Sequence, residues 1–154
     1  MPILQTGILS KGFSLLELIV VLVILTFALS ILSPLFSKSE TLDLKAEVQR
    51  MVSIIRYLDD NATAHKQVYR LKFNFSQKLV QWEKPEGWKT HKFKYLQDVN
   101  LFSRGTINKG EVIIFFEPTG NTEAMKIHFG SQEQELTVFW QPVSGRVKIL
   151  HGYQ

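Results

Sequence analysis

Two patterns of apolar and polar residues divide the chain into a helical N-terminal part and a strand-rich remainder. Residues 13–36, FSLLELIVVLVILTFALSILSPLF, are almost wholly apolar, and Glu17 is the only charged residue among them. A helix of this length, rising about 1.5 Å per residue, would exceed the bilayer core of about 30 Å. From residue 40 to about 65, apolar residues recur every three or four positions, which predicts an amphipathic helix. Its buried stripe would comprise Leu44, Val48, Met51, Ile55, Leu58 and Ala62.

After His65 the period changes to two, as in a strand with one buried face. In VYRLKFNF, residues 68–75, apolar and polar residues alternate, and KLVQWE after a short polar turn predicts a hairpin. EVIIFFE at 111–117 predicts a buried strand, and MKIHF, ELTVFW and GRVKIL predict three more. Residues 84–109, with KPEGW and SRGTINKG, are expected to be irregular. A long helix followed by antiparallel strands predicts an α+β fold.

Glu17 distinguishes the apolar run from an ordinary membrane anchor. A carboxylate at membrane depth costs about 2.5–3.5 kcal/mol, so such a residue is usually paired or functional. A secretory signal peptide fits poorly, because its apolar region has roughly 7–15 residues and precedes an A-x-A-like cleavage site. The run here is longer, and no such site follows it.

The stretch KGFSLLELIVVLVIL, residues 11–25, resembles the processing motif of type IV pilins and type II secretion pseudopilins. The resemblance implies a leader, residues 1–12, that prepilin peptidase removes between Gly12 and Phe13, with N-methylation of the new N-terminus at Phe13. Glu17 is then the fifth mature residue. In an assembly it would meet the α-amino cation of a neighbouring subunit, and a misplaced subunit would leave both charges unpaired. An ordinary single-pass anchor is the alternative, and it leaves Glu17 unexplained.

Two further segments extend the resemblance beyond the N-terminus. FFEPTGNT, residues 115–122, and SGRVKI, residues 144–149, are similar to motifs of the pseudopilin H and FimT-like group. In that group two small sheets pack on the helix. Within the first motif, Pro118 and Gly120 predict a turn at the end of a strand.

The resemblance implies a division of the chain into three segments. Residues 1–12 would be the leader, residues 13–36 a transmembrane and fibre-core helix, and residues 37–154 a periplasmic pilin-like domain. Pro34 falls where many pilins carry a proline that kinks the helix. Alternatively, Pro34 marks the exit of the chain from the membrane.

The charges of the chain are unevenly distributed. The formal net charge is +4, but residues 66–95 carry eight basic residues against two acidic ones, whereas residues 110–135 carry one basic residue against five acidic ones. This dipolar distribution weakens the inference of general nucleic-acid binding. The chain has no cysteine, which excludes disulfides and thiolate metal sites.

The sequence predicts no catalytic residue, metal site or cofactor, and therefore no enzyme. The four histidines are scattered and do not form H-E-x-x-H or a comparable ligand spacing. Asp59 and Asp60 are adjacent in a predicted helix, where neighbouring residues do not face one site. The chain would instead be a substrate of prepilin peptidase.

A basic and aromatic stretch, KPEGWKTHKFKY at 84–95, is the remaining candidate contact surface. Such a composition can stack bases and bind phosphates, or contact an acidic neighbour, or form a solvated loop. Some FimT-like minor pilins use basic residues near the C-terminus in DNA uptake. The candidate partner or DNA contacts are Lys89, Lys92, Lys94, Arg146 and Lys148, and DNA binding is the lesser expectation.

The resemblance implies a minor pseudopilin of the type II secretion system, most like pseudopilin H. It would be held in the inner membrane by one helix, with its globular domain in the periplasm, and would join the tip region of the pseudopilus for export across the outer membrane. Its partners would be other minor and major pseudopilins, prepilin peptidase, the inner-membrane secretion platform and membrane lipid. A FimT-like minor pilin of a type IV pilus, acting in pilus assembly or DNA uptake, is the alternative. A single-pass membrane protein with a ligand-binding domain is an alternative from another class.

Overall fold

The computed structural model describes residues 14–152, and the side chains of residues 14–29 and 40–152. One compact unit ends at Lys38, and a second runs from Ser39 to Gln154. A single α-helix, α1, spans Leu15–His65. The strands that follow are β1 (Tyr69–Asn74), β2 (Leu79–Lys84), β3 (Gly87–Lys92), β4 (Leu96–Leu101), β5 (Gly105–Ile107), β6 (Glu111–Phe116), β7 (Met125–Gly130), β8 (Glu135–Gln141) and β9 (Arg146–His151), with a 3₁₀ turn at Pro142–Ser144.

The strands of the second unit form two antiparallel sheets. The four-stranded sheet has the order β3-β2-β1-β6, and the five-stranded sheet has the order β5-β4-β7-β8-β9. β1 and β2 form the predicted hairpin, with Phe73 opposite Val80. The helix and the two sheets share one hydrophobic core. The α+β prediction is therefore confirmed.

The predicted helical stripe lies in that core. All six of its residues, from Leu44 to Ala62, are at most 1% exposed. The alternation predicted for β1 also holds, because Tyr69, Leu71 and Phe73 are at most 6% exposed while Arg70 is exposed. Side chains three and four apart share a helix face, and those two apart share a sheet face, so both periods place apolar residues in one interior.

The prediction that residues 84–109 are irregular was wrong, because this segment contains β3, β4 and β5. Every side chain of β3 is exposed or half-buried, so the strand has no apolar alternation and is held by its pairing with β2. β4 pairs with β7 through a register shift between Leu96 and Asp98. The shift leaves both Asp98 and Val99 buried, which breaks the period of two that marks a strand in a sequence.

The strand predicted at 111–117 is present as β6, but only one of its faces is buried. Val112, Ile114 and Phe116 are at most 4% exposed, whereas Ile113 and Phe115 are 39% and 49% exposed. The predicted turn follows it. Gly120 has φ +73°, a conformation that glycine adopts without steric cost, and its N–H donates to the Glu117 carbonyl at 3.0 Å.

The predicted amphipathic helix ends at His65 as expected, but helical backbone already begins at Leu15. Pro34 lies within this helical range, and its side chain is outside the described ones. The kink at Pro34 stays a prediction.

Candidate functional site

The start of α1 is fixed by Ser14. The backbone N–H of Glu17 donates to the Ser14 hydroxyl at 3.2 Å and to the Ser14 carbonyl at 3.0 Å, and the N–H of Leu18 donates to the same carbonyl at 3.2 Å. A serine three residues before a glutamate, ahead of an apolar run, is a helix N-terminus signal that the motif-based interpretation of Glu17 overlooked. The carboxylate in the first turn also complements the positive end of the helix dipole.

The first turns of α1 present a continuous apolar surface. In the single chain, the large apolar side chains between Leu15 and Leu29 are 40–77% exposed, and Glu17 is exposed among them. An apolar surface of this extent indicates a membrane or protein contact.

The predicted processing site and membrane span cannot be placed in the described part of the chain. Gly12 and Phe13 lie outside the described residues, as does the leader 1–12. Among the described residues, no helix combines the length and the hydropathy that crossing a membrane requires. The side chains of residues 30–39, within the predicted span 13–36, are also outside those described. Cleavage, methylation and the span therefore stay predictions.

The five basic candidates do not form one patch on a single sheet. Lys89 and Lys92 are exposed on β3, the edge of the four-stranded sheet. Arg146 and Lys148 are exposed on β9, the edge of the five-stranded sheet. Lys94 lies between β3 and β4, where its ammonium donates to the Tyr95 hydroxyl at 2.9 Å.

Lys94 is engaged by several neighbouring groups. Its Nζ lies 4.7 Å from the centre of the Tyr95 ring and 3.9 Å from the Glu40 carboxylate. The hydrogen bond to Tyr95 is the main reason that the pKa of Lys94 lies above its usual value, and nearby acidic residues add to it. The Lys94 ammonium is thus engaged by Tyr95 and Glu40 within the second unit.

Most aromatic rings of the 84–95 stretch are not available to a ligand. Phe93 is fully buried and Tyr95 is 5% exposed, so both belong to the core. Trp88 is 46% exposed, and the Arg70 guanidinium lies 5.1 Å from its ring centre. The stacking surface that nucleic-acid binding requires is therefore small here.

Arg70 is held in place by a bidentate pair with Glu83. Its Nε and Nη2 donate to the two carboxylate oxygens of Glu83 at 3.0 and 2.8 Å. The hydrogen bonds from Arg70 lower the pKa of Glu83. The planar pair fixes Arg70 against Trp88 on the outer face of the sheet.

Glu47 anchors the β3–β4 connection to the helix, a role that the sequence did not reveal. Its two carboxylate oxygens accept the backbone N–H groups of Lys94 and Tyr95 at 2.7 and 2.9 Å. Glu47 lies off the apolar stripe of α1, and nothing in its sequence context marks it as a bridge to residues 47 and 48 positions away.

A buried polar pair crosses the five-stranded sheet. Asp98 on β4 lies opposite His128 on β7, and their side chains are 2.5 Å apart at Oδ1 and Nδ1. Within the described part of the chain, no group of three or more histidine, cysteine, aspartate and glutamate side chains is placed to hold a metal ion. The pair links two strands across a long sequence separation, which is why scanning for local spacings missed it.

Comparisons with known proteins gave a match for the N-terminal segment and a match for the fold. Residues 9–33 match the family model of the prokaryotic N-terminal methylation motif. No curated protein sequence matches the chain. Among solved structures, the minor pseudopilin EpsH from the type 2 secretion system of Vibrio cholerae superposes with a TM-score of 0.51 at 13% identity. The match covers 71% of this chain and 97% of EpsH.

The chain has a prokaryotic N-terminal methylation motif and a fold similar to that of EpsH. The motif expected from KGFSLLELIVVLVIL is thus confirmed, and so is the expected pseudopilin-like fold. Since EpsH shares only 13% identity, the structural match concerns the fold alone.

Proposed function

We propose that this pilin-like chain is a minor pseudopilin that assembles into the pseudopilus of a type II secretion system. A single conjunction supports the proposal: a methylation motif at 9–33 precedes a domain with the fold of EpsH, whose own assignment is to such a system. The fold is one that structural subunits use, and we propose an assembly role rather than catalysis. Its position at or near the fibre tip belongs to the proposal.

The proposed maturation begins with prepilin peptidase. Cleavage between Gly12 and Phe13 creates an α-amino group at Phe13, which is then methylated. The apolar helix holds the subunit in the inner membrane, with the globular domain in the periplasm, and later packs in the fibre. The exposed apolar side chains from Leu15 to Leu29 supply the surface for either environment. The secretion platform and the other pseudopilins are the proposed partners.

Glu17 is the proposed register residue. In a low-dielectric fibre core, the Phe13 amino cation of one subunit would pair with Glu17 of its neighbour, and a wrong register would leave two buried charges unpaired. Glu17→Gln is nearly isosteric and removes only the charge. We expect it to reduce incorporation into fibres at least tenfold, measured as the sheared-fibre fraction by immunoblot.

Ser14→Ala is the matched control for Glu17→Gln. It removes the hydroxyl that accepts the Glu17 N–H but leaves the carboxylate in place. If only the helix cap mattered, Ser14→Ala would reduce assembly and Glu17→Gln, which keeps the backbone N–H, would not. Unchanged assembly of Glu17→Gln contradicts the register role.

Intact mass of the protein from membranes with and without prepilin peptidase tests the maturation directly. We expect loss of residues 1–12 and the gain of one methyl group only where the peptidase is present. An uncut chain in peptidase-containing membranes contradicts the proposal and favours the single-pass anchor with a ligand-binding domain.

Deletion phenotypes separate the secretion system from a type IV pilus. The methylation motif does not distinguish them, whereas the EpsH-like fold favours secretion. We expect deletion of the gene to reduce export of secreted proteins and to leave pili and DNA uptake unchanged. The reverse result favours a FimT-like minor pilin.

A further inference from the structure

Both edges of the four-stranded sheet are open to another strand. β3 and β6 lie at its two ends, and among the described residues no strand pairs with the outer side of either. Ile113, Ile114 and Phe115 line a groove of about 150 Å³ beside β6, together with Arg104 and Glu117 among other residues. Half of the backbone N–H and C=O groups of an edge strand point away from its sheet, so each edge is a template for pairing.

The two edges have opposite charge. Lys89 and Lys92 lie on β3. Glu111, which pairs with Lys72 of β1 at 2.8 Å, begins β6, and Glu117 follows the strand. Part of the charge asymmetry of the sequence is thus located at the two ends of one sheet. Two β3 edges repel each other, as do two β6 edges, and only the pairing of β3 with β6 brings opposite charges together.

The exposed apolar side chains of this sheet lie on the same two edge strands. Trp88 on β3 is 46% exposed, and Ile113 and Phe115 on β6 are 39% and 49% exposed. Strand pairing places all three side chains on one face of the sheet. Phe115 lies opposite Arg70 and Trp88 lies opposite Glu83, and the side chains of Arg70 and Glu83 are hydrogen-bonded to each other. Ile113 is two residues from Phe115 in β6 and therefore shares its face. An added strand at either edge would cover apolar surface that the single chain leaves in contact with solvent.

The directions of the strands also fit. Each strand is antiparallel to its neighbour in the order β3-β2-β1-β6, so β3 and β6 run in opposite directions. A copy of the chain related by translation therefore presents β3 antiparallel to β6 of the first copy. Such a contact joins two different surfaces and does not close, so it can repeat along a row of subunits.

We propose that two copies of this chain associate head to tail by pairing β6 of one copy with β3 of the next. In the favoured register, Phe115 lies opposite Trp88 of the second copy, Ile113 opposite Thr90, and Glu111 opposite Lys92. This register combines an aromatic pair with an ion pair, which are stabilising cross-strand combinations. The inference rests on the sheet edges and not on Glu17, so it can fail while the proposed maturation stands.

The absence of cysteine from the chain allows a direct test in the full-length protein. Ile113→Cys and Thr90→Cys are purified separately in detergent, mixed and mildly oxidised. Directly opposite residues have Cβ atoms about 4.5–5.5 Å apart, close enough for a disulfide after a small adjustment. We expect at least fivefold more disulfide-linked dimer in the mixture than in either variant alone.

Ser76→Cys, in the exposed turn between β1 and β2, replaces Thr90→Cys as the matched control. We expect it to yield only background dimer with Ile113→Cys. A mixture of Ile113→Cys and Thr90→Cys that yields no more dimer than this control overturns the proposal. In that case the β3 lysines prevent edge pairing instead of directing it.

Charge reversal tests the register and the partner together. Lys92→Glu in the Thr90→Cys background should reduce the dimer to background. Glu111→Lys in the Ile113→Cys background should then restore it when the two reversed proteins are mixed. A yield that does not respond to either reversal contradicts the charge-directed pairing, even if some dimer forms.

Discussion

Replacement of Glu47 by alanine is expected to destabilise the second unit, because one side chain holds the β3–β4 connection to α1. The Glu47 carboxylate accepts the N–H groups of Lys94 and Tyr95 at 2.7 and 2.9 Å. Between them, these two bonds join a helix in the first half of the chain to the strand-rich remainder. No other described residue is bonded to those two N–H groups.

The magnitude follows from the different exposure of the two donors. A hydrogen bond to a charged group contributes about 1.5–3 kcal/mol, and a buried donor left without a partner loses most of that. Tyr95 is 5% exposed, so water replaces the lost acceptor poorly, whereas Lys94 is exposed and its N–H can be hydrated. We therefore expect Glu47→Ala to lower the free energy of unfolding by about 2–4 kcal/mol.

Guanidinium unfolding of the full chain in detergent, followed by tryptophan fluorescence, measures this loss, since Trp140 is fully buried. Gln49→Ala, at an exposed position on the same helix, is the matched control and should change the free energy of unfolding by less than about 0.5 kcal/mol. Glu47→Gln keeps one acceptor oxygen and should fall between wild type and Glu47→Ala. A loss below about 1 kcal/mol for Glu47→Ala would refute the bridging role.

Two further predictions concern a buried indole and an ion pair. Among the described residues, Trp140 Nε1 is buried without a hydrogen-bond partner. Trp140→Phe should therefore change the free energy of unfolding by less than about 1 kcal/mol, because removing an unsatisfied donor offsets the lost volume. A loss above about 3 kcal/mol in guanidinium unfolding followed by circular dichroism contradicts this. Arg70 lowers the pKa of Glu83, so this pair stabilises the fold above the unfolded-state pKa of glutamate and ceases to do so as the pH falls through the folded-state pKa. The stability difference between wild type and Glu83→Gln should accordingly shrink on acidification from pH 7 to 3, and a constant difference would exclude the ion pair as its cause.

The sequence predicted those parts of the fold in which burial follows a regular period. The stripe from Leu44 to Ala62 and the alternation in β1 are both buried as expected, because one face of each element contacts the common core. β3 was not predicted because an edge strand can be held by backbone pairing alone, without a buried face that would appear as apolar alternation in the sequence. β4 was not predicted because a register shift between Leu96 and Asp98 interrupts its alternation of buried and exposed residues.

The candidate contacts were predicted less well, since they depend on which strands become neighbours. The sequence distinguishes basic from acidic segments, but only the strand order places Lys92 and Glu111 at opposite edges of one sheet. Similarly, the stretch at 84–95 combines lysines with aromatic residues, yet Phe93 and Tyr95 face the core. Glu47 and the pair of Asp98 with His128 act across long sequence separations, for which no local spacing is diagnostic.

The local and the intersubunit interpretations of Glu17 involve different atoms and can both hold. The cap uses the backbone N–H of Glu17, which donates to Ser14, and no described residue bonds the Glu17 carboxylate. An N-terminal capping serine would be satisfied by almost any residue at the third helical position, since every residue except proline offers the same N–H. The cap therefore explains why the helix begins at this point, but it does not explain why a charge is kept within an exposed apolar surface. That requirement is met by a cationic partner, which the proposed Phe13 amino group of a neighbouring subunit would supply.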